Sequence, residues 1–210
     1  KARPYIVPGD FSSAAFWMVA VAARPGQTLT IRNVGLNPRR TAMLDVLKSA
    51  GVSVKVKEYK STNHIEPAGD ITIKGGKLKP FEVGGDMIPN LIDELPVVFV
   101  LAALAEGKSV IRDAQELRVK ESDRIATMAG NLKLMGVDVE EQPDGMIING
   151  GKPFVPESSV RCYGDHRIAM SMAVLGTYAQ APVVIQNVAC VDTSYPGFWD
   201  HMKALGGHVE

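Results

Sequence analysis

Three stretches of this 210-residue chain end in the same way, and that repetition limits the folds open to it more than any other feature. Val46-Leu47-Lys48-Ser49-Ala50-Gly51-Val52-Ser53-Val54, Asn131-Leu132-Lys133-Leu134-Met135-Gly136-Val137-Asp138-Val139 and His201-Met202-Lys203-Ala204-Leu205-Gly206-Gly207-His208-Val209 share the pattern Leu/Met-Lys-x-x-Gly-x-x-Val, at offsets of 85 and 70 residues. Each reads as an amphipathic helix stopped by a glycine free to turn left-handed, followed at once by a strand. Two further features keep the register. Gly9-Asp10 and Gly164-Asp165 each open an apolar, Ala-rich helix, over 11–23 and 166–179, and Ile92-Asp93-Glu94-Leu95-Pro96 does so at nearly the corresponding place in the middle copy. Similar strands follow those helices at Thr28–Val34, Lys108–Ala114 and Pro182–Val188.

Shorter strands are expected around 52–59 with 70–74, and around 137–141 with 145–149, turning at Pro143-Asp144-Gly145. The unit therefore reads β-α-β-α-β-β. The chain is expected to be one α/β (α+β) domain over 1–210, with repeats of about 1–78, 79–152 and 157–210 related by pseudo-threefold symmetry, the third incomplete. Such units should bury their apolar first helices centrally and turn their amphipathic second helices outward. The helix N-termini at the Gly-Asp and Ile-Asp junctions would then share one anion-attracting face.

Composition removes several classes of function. With 23 basic and 23 acidic residues, no positive excess is available to follow a nucleic-acid backbone or an anionic membrane. The longest apolar run, Leu95–Ala105, falls short of the roughly 18 residues of a membrane span. Cys162 and Cys190 have no metal-ligand spacing and are expected as buried thiols in strand-like surroundings of a reducing compartment. The opening Lys1-Ala2-Arg3-Pro4-Tyr5 is expected to run directly into a strand, as in an excised piece of a longer protein.

Polar residues cluster at three junctions. Leu117-Arg118-Val119-Lys120-Glu121-Ser122-Asp123-Arg124 precedes a helix beginning near Ser122; with Ser122 as its cap, Lys120, Glu121 and Arg124 converge. The same spacing equally suits a capped, solvated helix start. Tyr163-Gly164-Asp165-His166-Arg167 stands at a strand-to-helix corner, where Asp165 could be an N-cap and Arg167 could take a carboxylate or phosphate. Asp93 and Glu94 open the middle apolar helix, as the helix dipole alone would favour. Repeat symmetry is expected to put Asp93, the 120–124 cluster and His166-Arg167 at equivalent junctions that project toward one cleft, where carboxylates beside anion-holding cations form an acid–base site.

The strings at 117–124 and at Gly164-Asp165-His166-Arg167-Ile168-Ala169-Met170, together with Gly9-Asp10-Phe11-Ser12-Ser13-Ala14-Ala15, resemble the 3-phosphoshikimate 1-carboxyvinyltransferase (EPSP synthase) family over essentially the whole chain. The resemblance implies the C-terminal half of an enzyme with two domains of three βαβαββ units each. By itself this half would be inactive, since the N-terminal domain supplies the other wall. It also implies transfer of the enolpyruvyl group of phosphoenolpyruvate to the 5-hydroxyl of shikimate 3-phosphate in a cytoplasmic, monomeric transferase that needs no metal or organic cofactor.

Carried onto this sequence, Asp93 and Glu121 would be the proton-transfer carboxylates, and Lys120 with Asp93 would contact shikimate 3-phosphate. Arg124, His166 and Arg167 would hold phosphoenolpyruvate. Many members have Asn where Glu116 stands and Lys where the Thr193-Ser194 stretch precedes Tyr195-Pro196; a second branch carries Thr-Ser-aromatic-Pro, as here. Glu116 and Thr193 are therefore further candidate site residues. Two alternatives share the fold: a UDP-N-acetylglucosamine 1-carboxyvinyltransferase domain, which lacks the Arg118–Arg124 string, and an anion-binding module without catalysis.

Overall fold

The computed structural model describes residues 6–60 and 66–210; the expected continuation of Lys1–Tyr5 into a strand lies outside the described residues. In chain order the first unit contains α1 (Phe11–Ala22), β1 (Thr28–Gly35), α2 (Ala42–Ser49), β2 (Ser53–Glu58) and β3 (Ala68–Lys74). The second contains β4 (Glu82–Val83), α3 (Leu95–Leu104), β5 (Gly107–Ile111), α4 (Arg124–Leu134), β6 (Asp138–Gln142) and β7 (Gly145–Gly150). The third contains β8 (Val160–Arg161), α5 (His166–Gly176), β9 (Ile185–Gln186) and α6 (Phe198–Ala204).

The sheets repeat one topology. In the second unit the strand order is β4-β5-β7-β6, with β4 parallel to β5 and the other pairs antiparallel. The first unit has β1-β3-β2, and Gly9 makes a parallel bridge to Val34 of β1 where β4 pairs with β5 in the second. The third has only the parallel pair β8-β9. The strand expected over Pro182–Val188 therefore shrinks to Ile185–Gln186. A strand is stabilised by its ladder, and β9 lacks the antiparallel partner that β3 gives β1 and β7 gives β5.

A second threefold signature lies near the C-terminal ends of these strands. Asn33, Asp113 and Asn187 all adopt left-handed backbone, with φ of 54°, 63° and 62°. Asn and Asp tolerate this region better than other residues bearing a Cβ. In β1, Asn33 sits in the register shift between Ile31 and Val34, while Asp113 and Asn187 follow the last paired residues of β5 and β9.

The core follows from the first helices. Every residue of α3 except Leu104 is buried, so it reads as apolar on all sides. It packs against α1 and α5, which also touch each other, with β5 and β7 alongside α3. Full burial of a Leu, Val or Phe contributes about 1.5–3 kcal/mol each. The second helices bury one stripe only: Met43, Leu44, Val46 and Leu47 in α2, for example, while Asp45, Lys48 and Ser49 face solvent. Gly75 after β3 and Gly150 ending β7 occupy matching places; a Cβ there would lie 2.2 Å from the Val21 carbonyl oxygen and 2.3 Å from that of Ala102. Only glycine lets these sheet ends meet the C-terminal turns of α1 and α3.

Among the described residues no helix is long and apolar enough to cross a membrane. Cys162 is buried, but Cys190 is only partly so, and it lies in a 3-10 turn (Val188–Thr193) rather than in strand-like surroundings. The two sulfurs are 3.8 Å apart.

Candidate functional site

Each first helix starts with an acidic residue, and these three starts meet. Asp10 caps α1: its Oδ2 accepts from the Ser13 backbone N–H at 2.7 Å and from the Ser13 hydroxyl at 2.8 Å. Asp165 caps α5 by accepting from the backbone N–H groups of Arg167 and Ile168. Before α5, Tyr163 and Gly164 take φ of 52° and 77° in succession, which swings the chain from β8 into the helix. At α3 the arrangement differs. Glu94 stands at the N-cap but caps nothing in its own helix; it is 2% exposed and accepts a hydrogen bond from the Ser12 hydroxyl of α1.

Asp93, beside it, is partly exposed and lies between two arginines. Arg167 Nη1 donates to the Asp93 carbonyl at 2.9 Å, with Nη2 3.8 Å from Oδ2. Arg40 Nη2 lies 3.4 Å from the same Oδ2 and donates to Ser12 Oγ at 2.9 Å.

The Lys120–Arg124 stretch reaches this group through Asp165. Arg124, 1% exposed, donates from Nε to Asp165 Oδ2 at 2.7 Å and from Nη2 to Glu121 Oε2 at 2.6 Å. Ser122 Oγ donates to Asp165 Oδ2 at 3.1 Å. Ser122 is thus not the helix cap: Asp123 caps α4 by accepting from the Ala126 N–H, which frees the Ser122 hydroxyl for the site. Lys120 donates to Glu116 at 2.6 Å. Continuous contacts therefore link Glu121, Arg124, Asp165, Arg167, Asp93, Arg40, Ser12 and Glu94 across all three units.

Beside this network is a small cleft of about 150 Å³, lined by Asp10, Ser12, Ser13, His166, Arg167 and Tyr195 among others. Burial, with Arg167 adding to it, holds His166 below the ordinary imidazole range, so the ring is neutral at pH 7. Burial also acts to raise Asp165, yet the hydrogen bond and charge of Arg124, with the Arg167 N–H and Ser122, outweigh it and keep this carboxyl below its ordinary range. For Glu94 burial prevails over the Ser12 bond and both arginines, and the carboxyl is raised. A larger groove of about 470 Å³, between α4 and residues 158–163, contains none of these groups.

A family model described as EPSP synthase (3-phosphoshikimate 1-carboxyvinyltransferase) matches residues 1–202. The chain belongs to the EPSP synthase family. The 3-phosphoshikimate 1-carboxyvinyltransferase of Salinibacter ruber is 49% identical over 199 residues, covering 95% of this chain and 46% of that protein. Its counterpart from Akkermansia muciniphila is 50% identical over 198 residues, covering 94% and 45%. A solved EPSP synthase from Acinetobacter baumannii superposes with TM-score 0.91 at 41% identity, over 97% of this chain and 47% of that one. The enolpyruvyl transferase NikO from Streptomyces tendae, at 18% identity and TM-score 0.73, shares the fold. The chain spans about half the length of the curated EPSP synthase relatives it matches.

Of the residues singled out from sequence, Asp93, Glu121, Arg124, His166 and Arg167 come together, with Lys120 and Glu116 paired at the margin. Thr193 does not face the cleft: its hydroxyl donates to the Cys190 carbonyl at 2.7 Å, and Ser194 and Tyr195 line the cleft instead. The 120–124 stretch is also not the repeat counterpart of Asp93 and His166-Arg167. It precedes a second helix, so its equivalents are the turns before α2 and α6. Sequence reasoning missed Arg40, the full part played by Asp165, and Ser12 with Glu94 as a pair. One signal for Arg40 was available: the 85-residue offset that aligns the helix ends places Arg124 on Arg39, next to Arg40.

Proposed function

We propose that this chain forms one wall of the site at which the enolpyruvyl group of phosphoenolpyruvate passes to the 5-hydroxyl of shikimate 3-phosphate. The observation that carries the reading is the single contact network joining two partly exposed carboxylates, Asp93 and Glu121, to the guanidinium groups of Arg124 and Arg167. The reaction needs a base for the hydroxyl, an acid for the methylene carbon and cations for two anionic reactants. The hydroxyl oxygen bonds to C2 of phosphoenolpyruvate as the methylene carbon takes a proton. The tetrahedral adduct then loses phosphate and a methyl proton, leaving the enol ether.

In this reading Asp93 and Glu121 move the protons, and Lys120 with Asp93 contacts shikimate 3-phosphate. Arg167 and Arg124 balance phosphoenolpyruvate, Arg124 also anchoring Glu121 through their 2.6 Å bond. His166, neutral at pH 7, offers a hydrogen bond rather than a charge. Glu116 tethers Lys120, and Thr193 shapes the turn that presents Ser194 and Tyr195. The family relatives' remaining length supplies the facing wall. The assembled enzyme is a cytoplasmic monomer, and residues 1–210 belong to a single domain of it.

The test is to combine this chain with the complementary half that its relatives carry and to assay phosphate release from phosphoenolpyruvate with shikimate 3-phosphate. Release that depends on both substrates is expected. An assembled pair that binds both ligands and releases nothing would instead identify a binding module and refute the reading.

A further inference from the structure

Glu94 is expensive where it stands. A buried carboxylate costs free energy unless it is well compensated, and this one neither caps α3 nor forms a close ion pair: its nearest cation atom, Arg40 Nη2, is 3.9 Å away. Its close partner is the Ser12 hydroxyl, which belongs to a different unit. A hydroxyl has one proton to donate. With that proton committed to Glu94, Ser12 Oγ presents only lone pairs elsewhere, and Arg40 Nη2 donates into them at 2.9 Å. Arg40 is otherwise an arginine from the turn before α2 whose side chain is 47% exposed, a situation in which the long stem ordinarily samples many rotamers. The anchored guanidinium lies 3.4 Å from Asp93 Oδ2, while Arg167 approaches that oxygen from α5.

We propose that Glu94, Ser12 and Arg40 form a positioning relay that fixes the orientation of the Asp93 carboxylate beside the cleft; the proposal rests on the functional reading above and deepens it. Glu94 is the buried anchor, Ser12 imposes the direction of hydrogen bonding, and Arg40 is the arm. None of the three needs to touch a substrate. The relay ties the first unit to the second at the point where the latter presents its carboxylate, so Asp93 is oriented by residues on three separate segments. Glu94 is faced by Ser12 from α1, Arg40 from the turn before α2, Arg167 from α5 and its neighbour Asp93. Both arginines lower its pKa, opposing the burial that raises it.

Two measurements test this. In the chain itself, the Glu94 side-chain carboxyl is followed by carbon NMR through a pH titration, unsubstituted and as Arg40→Met. Removing the cation should move the Glu94 midpoint upward, and an unmoved midpoint would overturn the relay. In the chain combined with its complementary half, R40M should lower kcat about 10- to 100-fold, the scale of a roughly 1 Å misplacement. KM for both substrates should change by less than about threefold, and Arg40→Lys should recover part of kcat. If R40M loses its cooperative melt, Ser12→Ala, which keeps α1 and deletes the bridging hydroxyl, should give the same split between kcat and KM. A kcat for R40M or S12A within about twofold of the parent would overturn the proposal. An unsubstituted pair that releases no phosphate would strike the functional reading instead, leaving the NMR result to decide the relay.

Discussion

Replacing Asp165 by Asn is the most informative single change, because it keeps the shape of the cap while removing the charge that Arg124 depends on. Asp165 is 0% exposed and Arg124 1%, and the pair is bonded at 2.7 Å and 3.4 Å. After Asp165→Asn the guanidinium keeps only Glu121, whose side chain is 52% exposed, as a counter-charge. Breaking a buried pair from one side costs about 3–5 kcal/mol. The amide oxygen can still accept one bond, so the lower end of that range, about 3 kcal/mol, is expected. For a chain of this size that corresponds to a fall in Tm of roughly 6–12 °C. Urea denaturation of the parent and of D165N at pH 7 measures the difference directly.

The pH dependence supplies a second check. The Asp165 carboxyl is depressed in the folded protein, so its contribution is fully present above the unfolded-state carboxylate pKa and is lost as pH falls through the lower folded value. The gap between parent and D165N should therefore stay constant from about pH 8 to 5 and close only under stronger acid. The double variant Asp165→Asn with Arg124→Met should be more stable than D165N alone, because no unpaired buried cation remains. A D165N loss under about 1 kcal/mol at pH 7, the size typical of a solvent-exposed pair, would refute the reasoning.

Glu94→Gln should preserve or raise stability at pH 7. The Glu94 carboxyl is elevated, so its ionisation works against the fold as pH rises through the folded value, and the advantage of Gln should vanish in acid; a loss above about 1 kcal/mol by urea melt would contradict this. Gly150→Ala should abolish or severely weaken folding, since the new Cβ would meet three backbone oxygens at 2.3–2.5 Å; a melt within about 1 kcal/mol of the parent would refute that packing. In the assembled enzyme, Glu121→Gln should reduce kcat by about 10²–10⁴ with little change in substrate affinity, and an unchanged kcat would remove Glu121 from proton transfer.

The parts of the fold that could be read from sequence are those fixed by short-range chemistry. Apolar runs gave α1, α3 and α5 to within a few residues, the Gly-ended Lys pattern gave the second helices, and Pro143-Asp144-Gly145 gave the β6–β7 turn. Where the outcome depended on a distant partner, local rules failed. Ser122 and Asp123 are both good caps by type, and the choice went to Asp123 because Asp165, 43 residues away, engages the Ser122 hydroxyl. Glu94 looked like an ordinary acid at a helix start, until Ser12 on another unit turned it inward. Thr193 and its neighbours carry similar hydroxyls, and the 3-10 turn alone decides which of them faces the cleft. Most of the candidate site could be named in advance because its residues sit in local strings. Arg40 could not be named from its local string, which reads as a surface turn; only the 85-residue repeat offset, which sets Arg124 on the adjacent Arg39, pointed there.

The contact among α1, α3 and α5 has a mechanical consequence. Asp93, Asp165 and Ser12 all sit at the leading turns of helices locked together by fully buried side chains, so the spacing of these polar groups is set by the thickness of the hydrocarbon between the rods. A methyl group added or removed deep inside, at Phe99 or Val174 for instance, would be transmitted along a stiff helix and read out as a shift of these polar groups at the rim.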